Sequence, residues 1–252
     1  SKIVVLLLDE NQFVRPDEIG CTEEFVKAAG ALKIPLRKYD LNTQFRCGGC
    51  TEYVNWVDRM LGFAAPDATD WGKPYSFELV DSPDQLDQMM AQSRENGTRA
   101  RLVAGFCWKW SEVRPDGSLE PDVKIGAWQR PWNAKVPKGK AVPNPEKHPY
   151  TLWANTEIGE SQVGCIYSAQ GFEFDSVGVI WGNDLVWRTD RWVAQPKESR
   201  DAPVRGAGPD MLDLVRNAYR VLLTRGIQKT RVLCLDPETR DHLAQLAAGG
   251  KK

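Results

Sequence analysis

The chain has 252 residues, 42% of them hydrophobic and 27% charged, with a formal net charge of −1 at pH 7. That length supports a sizeable core in one large domain or two small ones, and the composition is ordinary for a soluble globular protein. Near-neutral charge excludes a uniformly basic nucleic-acid coat but leaves room for a local groove, and no apolar run reaches the ~20 residues needed to span a bilayer.

Ile3-Val4-Val5-Leu6-Leu7-Leu8 predicts a buried parallel strand. It is too short for a secretory core and runs straight into Asp9-Glu10. A chain that opens inside a core strand reads as cut from something longer. Phe25, Val26 and Ala29 share a helical face within residues 22–33, and Leu36 to Leu41 is a short extended piece. Tyr53, Trp56, Val57, Met60 and Leu61 follow i, i+3, i+4, i+7, i+8, predicting a strong helix from Thr51 closed by Gly62. A loop to Tyr75 precedes a strand over 77–80. Ser82-Pro83 supplies an N-cap and a first-turn proline for a helix running to about Asn96-Gly97, and Arg101 to Phe106 is the next strand.

From Cys107 to about residue 157 the alternation of strand and helix fails. Trp108, Trp110, Trp128, Trp132 and Trp153 stand among prolines, glycines and lysines, a stretch too aromatic for disorder and expected to be an ordered insertion packed on the domain. Strand character returns at 163–167 and 176–181, a polar basic loop is expected over 188–208, and Pro209 opens a helix to about Thr224. A last strand over 231–235 and a helix from Pro237 complete the pattern. Strands separated by helices imply right-handed crossovers and a mainly parallel sheet covered on both faces, so the fold class is α/β, with residues 1–252 forming one domain.

Cys107, Cys165 and Cys234 lie in apolar runs where free cysteine acts as a small hydrophobe, which implies a reducing cytoplasm. Cys47-Gly48-Gly49-Cys50 is a lone C-x-x-C and reads as turn cysteines at a helix start. His148 and His242 have no ligand partners at metal spacing, so no metal site is expected. No G-x-x-x-x-G-K-[ST] occurs, so Walker A is absent.

Three segments carry the chemistry: Gln44-Phe45-Arg46, Ser168-Ala169-Gln170-Gly171-Phe172-Glu173-Phe174-Asp175, and Leu222-Leu223-Thr224-Arg225-Gly226. In this order they resemble the late motifs of a superfamily 1 helicase. With Ala104-Gly105-Phe106-Cys107-Trp108-Lys109-Trp110, Ile158-Gly159, Gly164-Cys165-Ile166-Tyr167 and Gly182-Asn183-Asp184-Leu185, they resemble bacterial ATPases with a Schlafen group 3-like DNA/RNA helicase domain over most of the chain. The strand-end Asp9-Glu10 fits two patterns. One is a Walker B pair with Asp9 on Mg²⁺ and Glu10 positioning water. The other is helicase motif III, with Asp9 and Gln12 sensing the γ-phosphate, and the short spacing to Gln44-Phe45-Arg46 favours it.

The resemblance implies the second lobe of a RecA-like P-loop NTPase, inactive without the lobe that carries the P-loop. ATP and Mg²⁺ would belong to the intact protein, with neither expected on this chain alone. Arg46 and Arg225 would act as arginine fingers beside Gln12, because an always-charged guanidinium suits the charge that develops in phosphoryl transfer. Asp9, Gln12, Gln170, Gly171, Glu173 and Arg225 would line the nucleotide. Arg46, Arg225 and Gln12 are expected at the carboxyl ends of neighbouring strands, where open α/β sheets bind ligands. Ser168 would meet a nucleic-acid phosphate and Trp108-Lys109-Trp110 would stack on DNA or RNA bases. Two other readings stand: a non-catalytic nucleic-acid or protein-binding module of RecA-like shape, and an unrelated α/β enzyme with a pocket near the tryptophans.

Overall fold

A computed structural model describes residues 3–9, 12–18, 21–40, 46–65, 75–135 and 153–249. Leu41 to Phe45, including Gln44 of the expected motif, and the lysine-rich stretch from residue 136 lie outside the described residues.

Five parallel strands form the centre. β1 (Ser76–Val80), β2 (Ala100–Ala104), β5 (Val163–Gly164), β6 (Phe174–Trp181) and β9 (Gly226–Cys234) pair in the order β1-β9-β6-β2-β5. Side-chain alternation splits the core in two. Val103, Val179, Trp181, Val232 and Cys234 pack with Tyr53 and Val57 of helix α2 (Thr51–Met60) and with Tyr219 and Leu222 of α6 (Met211–Leu223). Leu102, Ala104, Ile180 and Leu233 pack on the other face with Leu86 and Met90 of α3 (Pro83–Glu95) and with Trp132. Both faces of the sheet are therefore covered, as near-continuous apolar strands require.

The helical expectations for α2 and α3 follow their sequence signals. Tyr53, Trp56, Val57, Met60 and Leu61 are all buried, and Gly62 sits at φ 78 in the turn that ends α2. The Ser82 hydroxyl accepts a hydrogen bond from the Gln85 N–H at 3.1 Å, capping α3. Helix α1 (Thr22–Leu32) forms but buries none of its residues.

Several expectations are corrected. Ile3 to Leu8 is not a buried strand: it is no part of the five-stranded sheet and all six side chains are exposed. Its apolar pattern matches that of a core strand, but no strand of the sheet pairs with it among the described residues. The strand expected over 163–167 stops at Gly164, because Cys165 and Ser168 form a capping box that starts the short helix α4 (Ile166–Ala169). The basic loop expected over 188–208 contains an antiparallel hairpin, β7 (Leu185–Arg188) and β8 (Arg191–Ala194), followed by α5 (Ala202–Arg205). Trp187 opposes Trp192 across it, and Thr189 takes φ 60 in the tight turn. The last strand is longer than expected, beginning at Gly226, and α7 (Pro237–Gly249) closes the fold.

Among its described residues, the tryptophan-rich stretch has little regular structure beyond a short hairpin, β3 (Val123–Ile125) and β4 (Trp128–Arg130). The hairpin docks on α3, where Asp87 accepts from the Trp128 indole at 2.9 Å and from Arg130 at 2.7 Å. Trp132 is buried beside β5, and Asn133 N–H donates to the Val163 carbonyl at 2.9 Å. No helix among the described residues is long and apolar enough to cross a membrane.

Candidate functional site

Loops that enter the sheet build the site. In a parallel sheet the residues just before each strand share one edge. Arg225 ends the turn after α6 and precedes β9, Gly171-Phe172-Glu173 precedes β6, and Arg99 precedes β2. An open cavity of about 450 Å³ lies at this edge, lined by Gln12, Arg46, Arg99, Asn155, Gly171, Phe172, Glu173, Arg225 and Ile227. Arg46, Arg225 and Gln12 thus meet in one cavity, at the amino ends of the strands and not at the expected carboxyl ends. The reason differs for the two arginines: Arg225 lies in the connection from α6 into β9, whereas Arg46 lies in a turn that leads into α2 and is packed against the start of β9.

Arg225 is held from several sides and is only 3% exposed. Its Nε donates to the Val221 carbonyl at 3.0 Å and one terminal nitrogen donates to the Phe172 carbonyl at 3.2 Å. Its own carbonyl accepts from the Phe174 N–H at 2.8 Å. The other terminal nitrogen is buried and has no hydrogen-bond partner among the described residues. Burial pushes the guanidinium down to about 10, and the nearby Arg46 cation pushes the same way. The group stays charged at neutral pH, and an anion arriving at the orphaned nitrogen would relieve its desolvation.

Arg46 opens a 3-10 turn over Arg46–Gly49 in which Cys47 and Gly48 take φ 54 and φ 62. This turn lies on β9: a Cβ at Gly48 would stand 2.8 Å from the Ile227 carbonyl oxygen. The Cys47 thiol is buried against the Thr224 carbonyl, and burial pushes it up to about 12, so it is an inert anchor. A terminal nitrogen of Arg46 donates to Asp9 Oδ2 at 2.8 Å, and the Gln12 amide donates to the same oxygen at 2.6 Å. Gln170 does not itself line the cavity; its amide donates to the Gln12 carbonyl at 3.1 Å. Asn217 holds the Phe13 carbonyl at 3.0 Å and Val14 is buried, so this segment is docked on the domain although Ile3 to Leu8 is not.

Gly171 adopts φ 90 with open space where a Cβ would point, and Glu173 stands on the cavity wall. Ser168 is turned to other work. Its hydroxyl accepts from the Cys165 N–H at 2.9 Å and lies 2.8 Å from Asn133 Oδ1. Trp108 and Trp110 are partly exposed and Lys109 is exposed. Both indole N–H groups are taken by carbonyls, of Lys124 at 3.0 Å and of Asn133 at 2.7 Å. These three residues do not line the cavity.

The sequence motifs do not single out Arg99 and Asn155. The signal available for Arg99 was positional, since it precedes a strand as Glu173 and Arg225 do. Asn155 had no such signal, because its loop is placed by tertiary contacts. A second void, of about 20 Å³ beneath Val14, Tyr167 and Tyr219, has room for a water at most.

Comparison with known proteins bears on this edge. The profile of the family described as Schlafen group 3, DNA/RNA helicase domain, matches residues 1–236, which includes every residue of the cavity. An uncharacterized protein of Saccharomyces cerevisiae is 23% identical over 272 residues, covering 96% of this chain. The chain spans 57% of that relative's length.

Proposed function

The chain belongs to the Schlafen group 3 DNA/RNA helicase domain family, and from that premise we propose that it is the second, RecA-like lobe of a helicase-like NTPase, carrying the arginines that act on a nucleotide held mainly by another lobe. The observation that carries the reading is Arg225: buried, cationic, with one unpartnered nitrogen, in a cavity shared with Arg46. A buried guanidinium nitrogen without a protein partner calls for a water, an ion or a ligand to complete it, and of the described arginines in this position (Arg15, Arg220 and Arg225) only Arg225 lines the cavity.

Bound ATP with Mg²⁺ supplies the transferable phosphoryl group and its charge neutralisation. This chain's residues do the rest of the work on their side of the cleft. Arg225 and Arg46 oppose negative charge that grows on the phosphoryl oxygens. Gln12 presents an amide to the same region, and the Gly171 backbone leaves room for close approach. Glu173 accepts from a sugar hydroxyl. Arginines supplied from one lobe to a nucleotide on another make hydrolysis depend on closure, and repeated closure is what moves a bound strand.

The exposed apolar run from Ile3 to Leu8 is in keeping with docking against a second lobe. A run apolar at every position would suit the interior of a parallel sheet if it became extended there, and that sheet would belong to the partner. Such a protein would work in the cytoplasm on DNA or RNA, with Trp108, Lys109 and Trp110 offering stacking and charge at a distance from the cavity.

The second reading, a non-catalytic binding module, is favoured by Ser168, whose hydroxyl is spent inside the fold and not offered to a phosphate. Steady-state hydrolysis separates the two. The chain alone should not exceed a mock preparation. Joined to a P-loop lobe it should hydrolyse ATP, and Arg225→Ala should cut turnover by orders of magnitude. Hydrolysis by the chain alone that disappears with Arg225→Ala would refute the missing-lobe reading, and inactivity of the joined protein would favour the binding module.

A further inference from the structure

The cavity has a second end. Strands run in the order β9-β6-β2, so Arg225, Glu173 and Arg99 stand in that order along the edge, with two strand spacings, roughly 10 Å, between the outer two. Arg46 and Gln12 belong with Arg225. Asn155 belongs with Arg99.

Both residues at the β2 end are fixed by their backbones. The Arg99 N–H donates to Asp175 Oδ2 at 2.8 Å and its carbonyl accepts from the Ser176 N–H at 3.1 Å. Asn155 sits in a turn clamped from below. The buried Arg101 donates to the Trp153 carbonyl at 3.2 Å and to the Thr156 carbonyl at 2.8 Å, so it grips the chain on both sides of Ala154 and Asn155. Gly159 makes the clamp possible, because a Cβ there would stand 1.8 Å from the Trp153 carbonyl oxygen. The exposed Asn155 is therefore presented at the cavity mouth by a rigid support. Phe172, half-buried, lines the wall between the two ends.

The chemistry of the two ends differs. Arg46 and Arg225 offer charge alone. Asn155 offers a donor and an acceptor side by side, the pattern that pairs with an adenine edge, and Arg99 and Phe172 offer flat surfaces on which a base stacks. Glu173 between them suits sugar hydroxyls. Resting on the nucleotide reading above, we propose that Arg99 and Asn155 form the base-recognition end of the cavity, selecting a purine nucleotide whose phosphates lie against Arg46 and Arg225.

The test is equilibrium binding to this chain, at millimolar ligand, of ATP, CTP and inorganic tripolyphosphate. The wild type should bind ATP roughly tenfold more tightly than CTP or tripolyphosphate, the discrimination expected of one bidentate amide–base pair. Asn155→Ala should remove that preference and leave tripolyphosphate binding unchanged, and Arg99→Ala should weaken ATP more than tripolyphosphate. Equal affinity of the wild type for ATP and CTP would overturn the proposal, as would equal losses for all three ligands in Asn155→Ala, which would make this end one more phosphate contact. Those outcomes leave the phosphate reading intact. Failure of all three ligands to bind the wild type would also overturn the proposal, and would not count against the two-lobe reading, which holds the nucleotide mainly on another lobe.

Discussion

Asp9 and Arg46 meet in a 2.8 Å salt bridge across 37 positions of sequence, and the same Asp9 oxygen accepts from Gln12. The carboxylate therefore occupies one face of the guanidinium that the proposed function assigns to a phosphate. An acid in that position is an internal competitor for any arriving anion. Asp9→Asn keeps the shape and removes the charge, so affinity for tripolyphosphate should rise by about three- to tenfold, the scale of one partly exposed ion pair. Calorimetric titration of both proteins at matched ionic strength measures it. Weaker binding in Asp9→Asn would show that the carboxylate holds Arg46 in its working position.

Arg46 owes its placement to Gly48. A side chain there meets the Ile227 carbonyl and must also accept φ 62. Gly48→Ala should cost about 1–3 kcal/mol of stability and weaken anion binding together, because the turn that carries Arg46 has to lift off β9. Chemical denaturation gives the first quantity and titration the second. A variant with unchanged stability and unchanged affinity would refute the placement.

Asp236 ties the β7–β8 hairpin to α7. It accepts from Arg188 at 2.6 and 2.7 Å and from the Thr239 N–H at 2.9 Å, which caps the helix. The Arg188 hydrogen bonds, with Thr239, bring its carboxyl down to about 2. A depressed acid contributes stability above its unfolded value of ~4, and that contribution is lost as pH falls through its folded value. Asp236→Asn should therefore be less stable than the wild type by about 1–2 kcal/mol at neutral pH, with the gap closing between pH ~4 and ~2. Denaturation midpoints across that range check the sign. A gap that widens on acidification would refute it.

The sequence exposed those features that local chemistry decides alone. The helical spacing of Tyr53 to Leu61, the Ser82-Pro83 start of α3 and the apolar strands β6 and β9 each carry their own signal. Features set by partners were hidden. Ile3 to Leu8 has the composition of a core strand, yet composition cannot name the sheet that would receive it. The Thr189-Asp190 turn lacks the Asn-Gly signature, so the hairpin around it read as a loop. At the site, Arg46, Arg225 and Gln12 were legible from motif order. Which edge of the sheet they occupy was not, because that depends on Arg225 preceding β9 and on where the turn of Arg46 packs. Asn155 was invisible since Arg101, a buried arginine in β2, places its loop.

Trp108, Lys109 and Trp110 allow the nucleic-acid part of the reading to be examined separately from the nucleotide. Trp110 stands edge-on to Phe106, and Trp108 stands edge-on to the buried Trp132. Each ring is thus supported by an aromatic neighbour and partly exposed, with Lys135 Nζ 6.0 Å over the Trp110 ring and the exposed Lys109 between the two in sequence. A supported aromatic with an open face is a platform for an unstacked base, worth roughly 1–3 kcal/mol per base. Single-stranded DNA or RNA titrated at low salt should quench tryptophan fluorescence, and binding should weaken steeply as salt rises. The indole of Trp132 gives a fixed background because it is buried. Trp108→Ala should reduce affinity by about tenfold, the stacking of a single base, and Lys109→Ala should reduce the salt dependence by about one phosphate contact. Absence of quenching with either strand, or quenching that Trp108→Ala and Lys109→Ala leave unchanged, would assign these aromatics to packing alone.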